Sequence, residues 1–386
     1  MKELKLQLET FLKENKKEII KFLSRTVQIK SYSGNESKLI NFIREFLYHH
    51  KIHKNSKIIT LKNNLLMFYN ANTSNNVELF YDAHLDTVPA EETNSWRYPP
   101  FSGKLVENKI YGRGSCDDKG SVTSLVFAFL FLNKFQLRTP PICFSLSSSE
   151  ENSSGKGIEE VVKYVKPKYS VICEPSDLKI VYGHKGKWSI KLIFSGKSAH
   201  SSLPHLGKNA IYLGYPVIRN LIETKNENFK PSKLGTPTYT ITFIESKTNS
   251  LNSIPYECSL YIDYRSVLGE TEATIKNFIL KNIKHKNYKF LPQHRFFKAW
   301  ILNEEDKLLT KAMTAYKECF LKSPKPILWQ FCTNGSITMA DFNIPTVGFG
   351  PGSPFLAHQD NEYIKVEDVL AATKFYCLLA VKWQDL

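Results

Sequence analysis

Residues 77–83 read VELFYDA, and His84 and Asp86 follow at once. Two more short apolar runs have the same look: ICFSLS at 142–147 and YSVICEP at 169–175. Between them lie SVTSLVFAFLFLNKF (121–135) and GIEEVVKYV (157–165), which have helical length and spacing. This alternation predicts βαβ units around a largely parallel sheet flanked by helices. In an open α/β sheet, ligands gather outside the carboxyl ends of the strands. Acids and histidines fall there. His84 and Asp86 follow the first run, Glu150 and Glu151 follow the second, and Glu174 sits within the closing residues of the third. Asp117 lies in the glycine-rich turn YGRGSCDDKG (111–120) just before a helix, and His358 follows the strand TVGFG (346–350).

The texture changes after about Val181. In WSIKLIF (188–194), Trp188, Ile190, Leu192 and Phe194 alternate with polar residues, the pattern of a strand with one buried face. TYTITFIE (238–245) and YECSLYIDYR (256–265) alternate similarly, with helical stretches at 209–223 and 273–283. An α+β module with antiparallel strands is therefore expected over 181–292, inserted into an α/β domain made of 1–180 and 293–386. The helix DKLLTKAMTAYKECFL (306–321) and a closing helix at 366–383 complete the α/β part. At the N-terminus, Leu4, Leu8, Phe11, Ile19 and Phe22 recur at helical spacing.

Composition excludes several classes. With 386 residues, 42% of them hydrophobic, there is material for a sizeable core, and no apolar run reaches membrane-spanning length. Charges interrupt every apolar stretch of the N-terminus, unlike a secretory signal. Seven cysteines without a CxxC pair fit neither a disulfide framework nor a thiolate zinc knuckle, so a reduced, cytoplasmic protein is expected. The net charge of +15 comes from scattered lysines; only Lys281, Lys284, Lys286 and Lys289 are dense. No nucleic-acid motif accompanies them, so neither nucleic acid nor membrane is expected as a partner. The triplet at Gly112–Gly114 lacks the spacing of GxGxxG, and SAHSS (198–202) lacks the GxSxG elbow of a serine hydrolase.

Singly, each acid or histidine has a plain explanation as a cap, an Asx turn or a solvated loop. Jointly they do not, because burying several carboxylates together without cations is very costly. Imidazole plus carboxylate is a ligand set that suits zinc.

These residues stand in stretches that resemble peptidase family M20, the group of acetylornithine deacetylase, succinyl-diaminopimelate desuccinylase, aminoacylase-1 and related carboxypeptidases. The stretches are DAHLDTVP (82–89), residues 96–120, SSSEEN (147–152), ICEPS (172–176), residues 183–211 and FGPGSPFLAHQDNEYI (349–364). The resemblance implies two zinc ions, with cobalt or manganese as substitutes. His84 and Glu174 would hold one, Glu151 and His358 the other, and Asp117 would bridge both. It makes Asp86 the carboxylate that fixes the His84 tautomer. Glu150 becomes the general base that takes a proton from the attacking water and passes it to the leaving amine. The 181–292 module resembles a lid that also mediates homodimerisation. There His200 would steady the tetrahedral oxygen and Arg265 would grip a substrate carboxylate, with pairing to Asp263 as the plain alternative. Asn252, Asn334 and Gly335 are further substrate contacts by similarity. The expected substrate is a small N-acyl amino acid, N-acetylornithine or a close N-acetyl amino acid of arginine biosynthesis. LPHLGKNAI (203–211) supports that choice, and CTNGSITMAD (332–341) stands where desuccinylases carry SGGTSD. Succinyl-diaminopimelate is the alternative, followed by a dipeptide or carboxypeptidase substrate.

Overall fold

A computed structural model of the chain describes residues 2–384, except 51, 53, 55, 72–74, 92, 94, 225–231 and 282. Contacts divide it into two compact units, one of 1–183, 301–328 and 333–386, the other of 184–300 and 329–332.

In the first unit the strand Leu79–His84 lies between Ile142–Ser147 and Tyr169–Ile172, parallel to both, and Thr346–Gly348 is parallel to Tyr169–Ile172. The flanks are antiparallel. Asn64–Tyr69 pairs with Ile142–Ser147 on one side and with Ser56–Leu61 beyond it, while Val181 pairs with Gly348 on the other. The sheet is thus mixed, with the parallel centre that the run alternation predicts. Every residue of Leu79–His84, Ile142–Ser147 and Asn64–Tyr69 is buried, which explains why these strands read as continuous apolar runs and do not alternate. The hairpin of 56–69 has no counterpart in the sequence-based expectations.

The helix Gly120–Phe135 is buried from Gly120 to Asn133 and packs against Lys2–Gln28 and Val366–Lys382. Lys2–Gln28 buries Leu8, Phe11, Leu12, Ile19, Phe22, Leu23 and Val27 at spacings of three and four, the single stripe of an amphipathic surface helix. A small antiparallel sheet joins Lys104–Val106, Lys109–Tyr111 and Tyr363–Lys365, and so brings residues 112–117 and 354–362 together.

The second unit, taken by itself, is an antiparallel sheet in the order Thr238–Lys247, Glu257–Arg265, Trp188–Ser195, Tyr288–Pro292. One face buries Trp188, Ile190, Leu192, Phe194, Leu260, Ile262 and Tyr264 with residues of the helices Ala210–Glu223 and Glu272–Leu280. Asn209 caps the first helix by accepting from the Ile211 N–H at 2.9 Å. Tyr288–Pro292, in the lysine-dense stretch, forms an edge strand that no alternation announced. The helix predicted to 283 ends at Leu280, and Asn282 lies outside the described residues.

Among the described residues no helix is long and apolar enough to cross a membrane, and the seven cysteines are free thiols.

Candidate metal centre

Three parallel strands ending at one edge of the sheet deliver the first residues. His84 is the last residue of its strand and is buried. Its Nδ1 lies 2.9 Å from the main-chain oxygen of Asp86, to which it donates in the neutral ring. Nε2 faces Asp117 Oδ1, 2.8 Å away, and Glu174 Oε1, 3.7 Å away; in the metal-free protein it carries a proton and donates to Asp117, and with Nδ1 held by the carbonyl it is the nitrogen left to bind an ion. Glu174 follows Tyr169–Ile172 by two residues and is held by close packing of its own main chain: a Cβ on Gly350 would come within 2.3 Å of the Glu174 carbonyl oxygen.

Asp117 comes from the turn before the Gly120–Phe135 helix. Gly114 begins that turn at φ 80°, a conformation glycine adopts without steric cost. Asp117 faces His84 with Oδ1 and His358 with Oδ2, the latter at 3.4 Å. His358 Nε2 also lies 3.0 Å from Glu151 Oε2. One carboxylate therefore sits between two imidazoles, each backed by a second carboxylate. His358 is half-exposed and has φ 62°.

Glu150 and Glu151 follow Ile142–Ser147 on a loop clamped by buried acceptors. Asn64 Oδ1 accepts from Ser148 N at 2.9 Å, and Glu36 Oε1 from Ser149 N at 3.1 Å. Asp86 accepts from Glu150 N through Oδ1 and from Glu151 N through Oδ2, each at 3.0 Å, and from Ser33 Oγ at 2.6 Å. Its main-chain oxygen is the hydrogen-bond partner of the imidazole Nδ1, while the carboxylate lies 3.7 Å from Nδ1 and is engaged by the loop.

The electrostatics are those of a cation site. Burial, then the charges of Glu151, Asp86 and Asp117, push Glu150 up to about 8 despite the opposing field of His84. Burial outweighs the attraction of His84 and raises Glu174 well above the ordinary carboxylate range. Burial alone would lower His84, but Glu174 and Asp117 hold it well above its ordinary value. Hydrogen bonds with Asp117 and Glu151 raise His358 to about 10. Protons thus occupy positions that divalent ions would take. His84, Asp118 and Glu174 form one set of donors within 4.8 Å of one another, and His84, Asp117 and Glu151 form another. The two sets have His84 in common; nitrogen and carboxylate oxygen donors of this kind fit zinc, and the Asp117 carboxylate, set between the imidazoles of His84 and His358, fits a pair of ions.

Asn334 is buried and donates to Asp82 Oδ2 at 2.9 Å and Ser147 Oγ at 3.2 Å. Gly335 is buried too, its N–H bonded to Thr333 Oγ1 at 3.0 Å. In the turn at 333–335 these two donors are bonded within the protein. His200, Asn252 and Arg265 belong to the second unit. His200 is exposed beside Ser202, 2.7 Å from Nδ1 to Oγ. Asn252 is exposed and accepts from Ser250 Oγ at 2.6 Å. Arg265 pairs with Asp263 at 2.6 Å, the plain alternative for it.

Sequence reading missed Asp118, whose Oδ2 accepts from the main-chain N–H of His84 at 3.1 Å. It also missed the buried ion pair of Arg113 and Glu362. The signal was present as charged residues in YGRGSCDDKG and QDNEYI, but a pairing across 249 positions is visible only in three dimensions.

The model of peptidase family M20/M25/M40 matches residues 80–382, which include every residue of this centre. The chain belongs to that family. It is accordingly a metal-dependent amide hydrolase of the M20 type. The chain is 28% identical to the uncharacterized protein YgeY of Escherichia coli (strain K12) over 96% of each chain. To the succinyl-diaminopimelate desuccinylase of Orientia tsutsugamushi (strain Ikeda) it is 26% identical, over 94% of this chain and 95% of the relative. The M20 metallo-carboxypeptidase Sso-CP2 of Sulfolobus solfataricus shares the fold with a TM-score of 0.79 at 19% identity, covering 96% of this chain and 100% of that one. The dipeptidase Dug1p of Saccharomyces cerevisiae also gives a TM-score of 0.79, at 16% identity, covering 99% and 98%.

Proposed function

We propose that the chain is a dinuclear zinc deacylase that removes the acyl group from the α-nitrogen of a small amino acid, N-acetylornithine or a close N-acetyl amino acid. The observation that carries this reading is Asp117 set between His84 and His358, with Glu174 behind the first imidazole and Glu151 behind the second. His84 and Glu174 would hold one ion, His358 and Glu151 the other, and Asp117 would hold both. Cobalt or manganese suits the same donors less selectively. When bound, such a pair polarises the amide carbonyl and makes water nucleophilic at neutral pH.

The protein's own residues supply the rest. Glu150 takes the proton of the attacking water and delivers it to the departing nitrogen. Burial and the neighbouring carboxylates raise its pKa in the metal-free protein, and bound cations would lower it again, leaving the carboxylate free to take that proton. Asp86 fixes the Glu150–Glu151 loop, so that base and ligand move as one. On the strength of the sequence resemblance, His200 is assigned to the tetrahedral oxygen, Arg265 and Asn252 to the substrate, and residues 181–292 to a homodimer contact. An odd number of cysteines with no CxxC pair supports a cytoplasmic setting.

The stretch LPHLGKNAI supports an N-acetyl amino acid. The relatives named succinyl-diaminopimelate desuccinylase favour a second reading, a succinylated diamino acid. The experiment is a turnover screen of zinc-loaded protein against N-acetylornithine, N-acetylcitrulline, N-succinyl-diaminopimelate and simple dipeptides. Highest kcat/KM on the acetyl substrates is expected. Preference for the succinyl substrate installs the second reading, and preference for dipeptides makes the chain a peptidase.

A further inference from the structure

The small sheet that pairs Tyr363 with Tyr111 sets Glu362 opposite the turn that carries Asp117. Glu362 is fully buried and Arg113 is 4% exposed, and Arg113 Nη1 lies 2.8 Å from Glu362 Oε2. The other oxygen, Oε1, accepts the main-chain N–H of Cys116 at 2.8 Å and of Asp117 at 3.1 Å. Arg113 in turn donates through Nη1 to the Gln359 carbonyl at 3.1 Å and through Nη2 to the His358 carbonyl at 3.4 Å. The ring of Trp96 lies 5.4 Å from its guanidinium carbon. One ion pair therefore grips the main chain of both Asp117 and His358.

His84 is anchored differently. It ends a central strand, its Nδ1 is held by the Asp86 carbonyl, and its N–H is held by Asp118. His358 has no such strand. It stands in the left-handed region between a short helical turn at Pro354–Leu356 and the strand Tyr363–Lys365. A buried ion pair gains little net stability over apolar side chains of equal volume, so its presence here calls for a geometric reason.

We propose that Arg113 and Glu362 are positioning residues that fix the spacing of Asp117 and His358 and thereby govern binding of the ion these two share. The inference rests on the ligand assignment above. Loss of the pair weakens that ion most, because the main chains of both its ligands are released; the ion of His84 and Glu174 is affected only through Asp117 and loses less.

The test is calorimetric titration of metal-free protein with zinc, repeated with cobalt so that absorption reports each site. Wild type should take two ions, and His358→Ala should lose one. If wild type takes fewer than two, or His358→Ala keeps both unchanged, the ligand assignment fails, and not the pair. Given two ions, Glu362→Gln and the double variant Arg113→Met with Glu362→Gln should bind the second ion about 10- to 100-fold more weakly, with the first weakened by a clearly smaller factor. Arg113→Lys, which keeps the charge with a less directional donor set, should recover part of the loss. The double variant removes both charges together, so no unpaired buried charge remains to unfold it. If it binds the second ion as wild type does, loses both ions equally or fails to fold, the pair serves the fold alone and the proposal is overturned.

Discussion

His84 and Asp86 are joined through the main chain: Nδ1 of His84 meets the carbonyl oxygen of Asp86 at 2.9 Å, while the Asp86 carboxylate turns to the Glu150–Glu151 loop. Asp86→Ala therefore leaves the imidazole oriented and frees the loop. The expected result is a kcat loss of about 10- to 100-fold with the ion of His84 retained. Metal analysis alongside steady-state kinetics checks it. Loss of that ion, with full activity after reloading, would return the carboxylate to the task of orienting the ring.

Among the described residues no imidazole lies within ion-pair distance of Glu150, and Asp118, which also lacks one, accepts the main-chain N–H of His84. If Glu150 is the proton carrier, Glu150→Gln removes about 10²- to 10⁴-fold from kcat. Metal stoichiometry should stay at the wild-type value. Should zinc fall out of this variant, Glu150 is a ligand and the assignment of a base must move.

The metal-free protein should lose stability as pH rises. Glu150 titrates at about 8 when folded and ordinarily near 4.5, so between those values the folded state keeps a proton that the unfolded chain has released. His358, raised from 6.5 to about 10, contributes stability that is complete below 6.5 and disappears as pH rises through 10. Both groups act in the same direction. Asp117, held below its ordinary 3.8 by His358 and His84 against the opposing effect of burial, acts in the other direction, but only at acid pH. Divalent ions displace these protons, so the loaded protein should lack the decline and metal binding should release protons. Unfolding temperatures in chelator and in zinc, from about pH 5 to pH 9, separate the two cases. A metal-free protein that grows more stable toward pH 9 contradicts the site's electrostatics.

Asn334 is buried and donates to both Asp82 and Ser147. Asn334→Leu leaves buried oxygens without their donor and should cost about 1–3 kcal/mol of stability. KM should not move. Denaturant unfolding and substrate saturation curves measure both quantities, and an intact stability with a raised KM would make Asn334 a substrate contact after all.

Local order was legible in the chain because period and length carry it. The buried runs 79–84 and 142–147 read as parallel strands because both their faces are covered, and 188–195 read as half-buried because only one is. The rule that ligands collect at strand carboxyl ends then brought His84, Glu151 and Glu174 to one edge before any coordinate was known. The short strands Lys104–Val106, Lys109–Tyr111 and Tyr288–Pro292 were not legible, since a few residues define no period.

The sequence by itself determined which residue types stand at the ends of which strands, and with them the chemistry of the centre. Only the tertiary structure decided which atom of each residue is used. That Asp86 orients His84 by its carbonyl, that Asn334 turns inward, and that Arg113 meets Glu362 all depend on hydrogen-bond directions across distant segments. Those directions are set when the chain is packed and every buried donor has to find an acceptor.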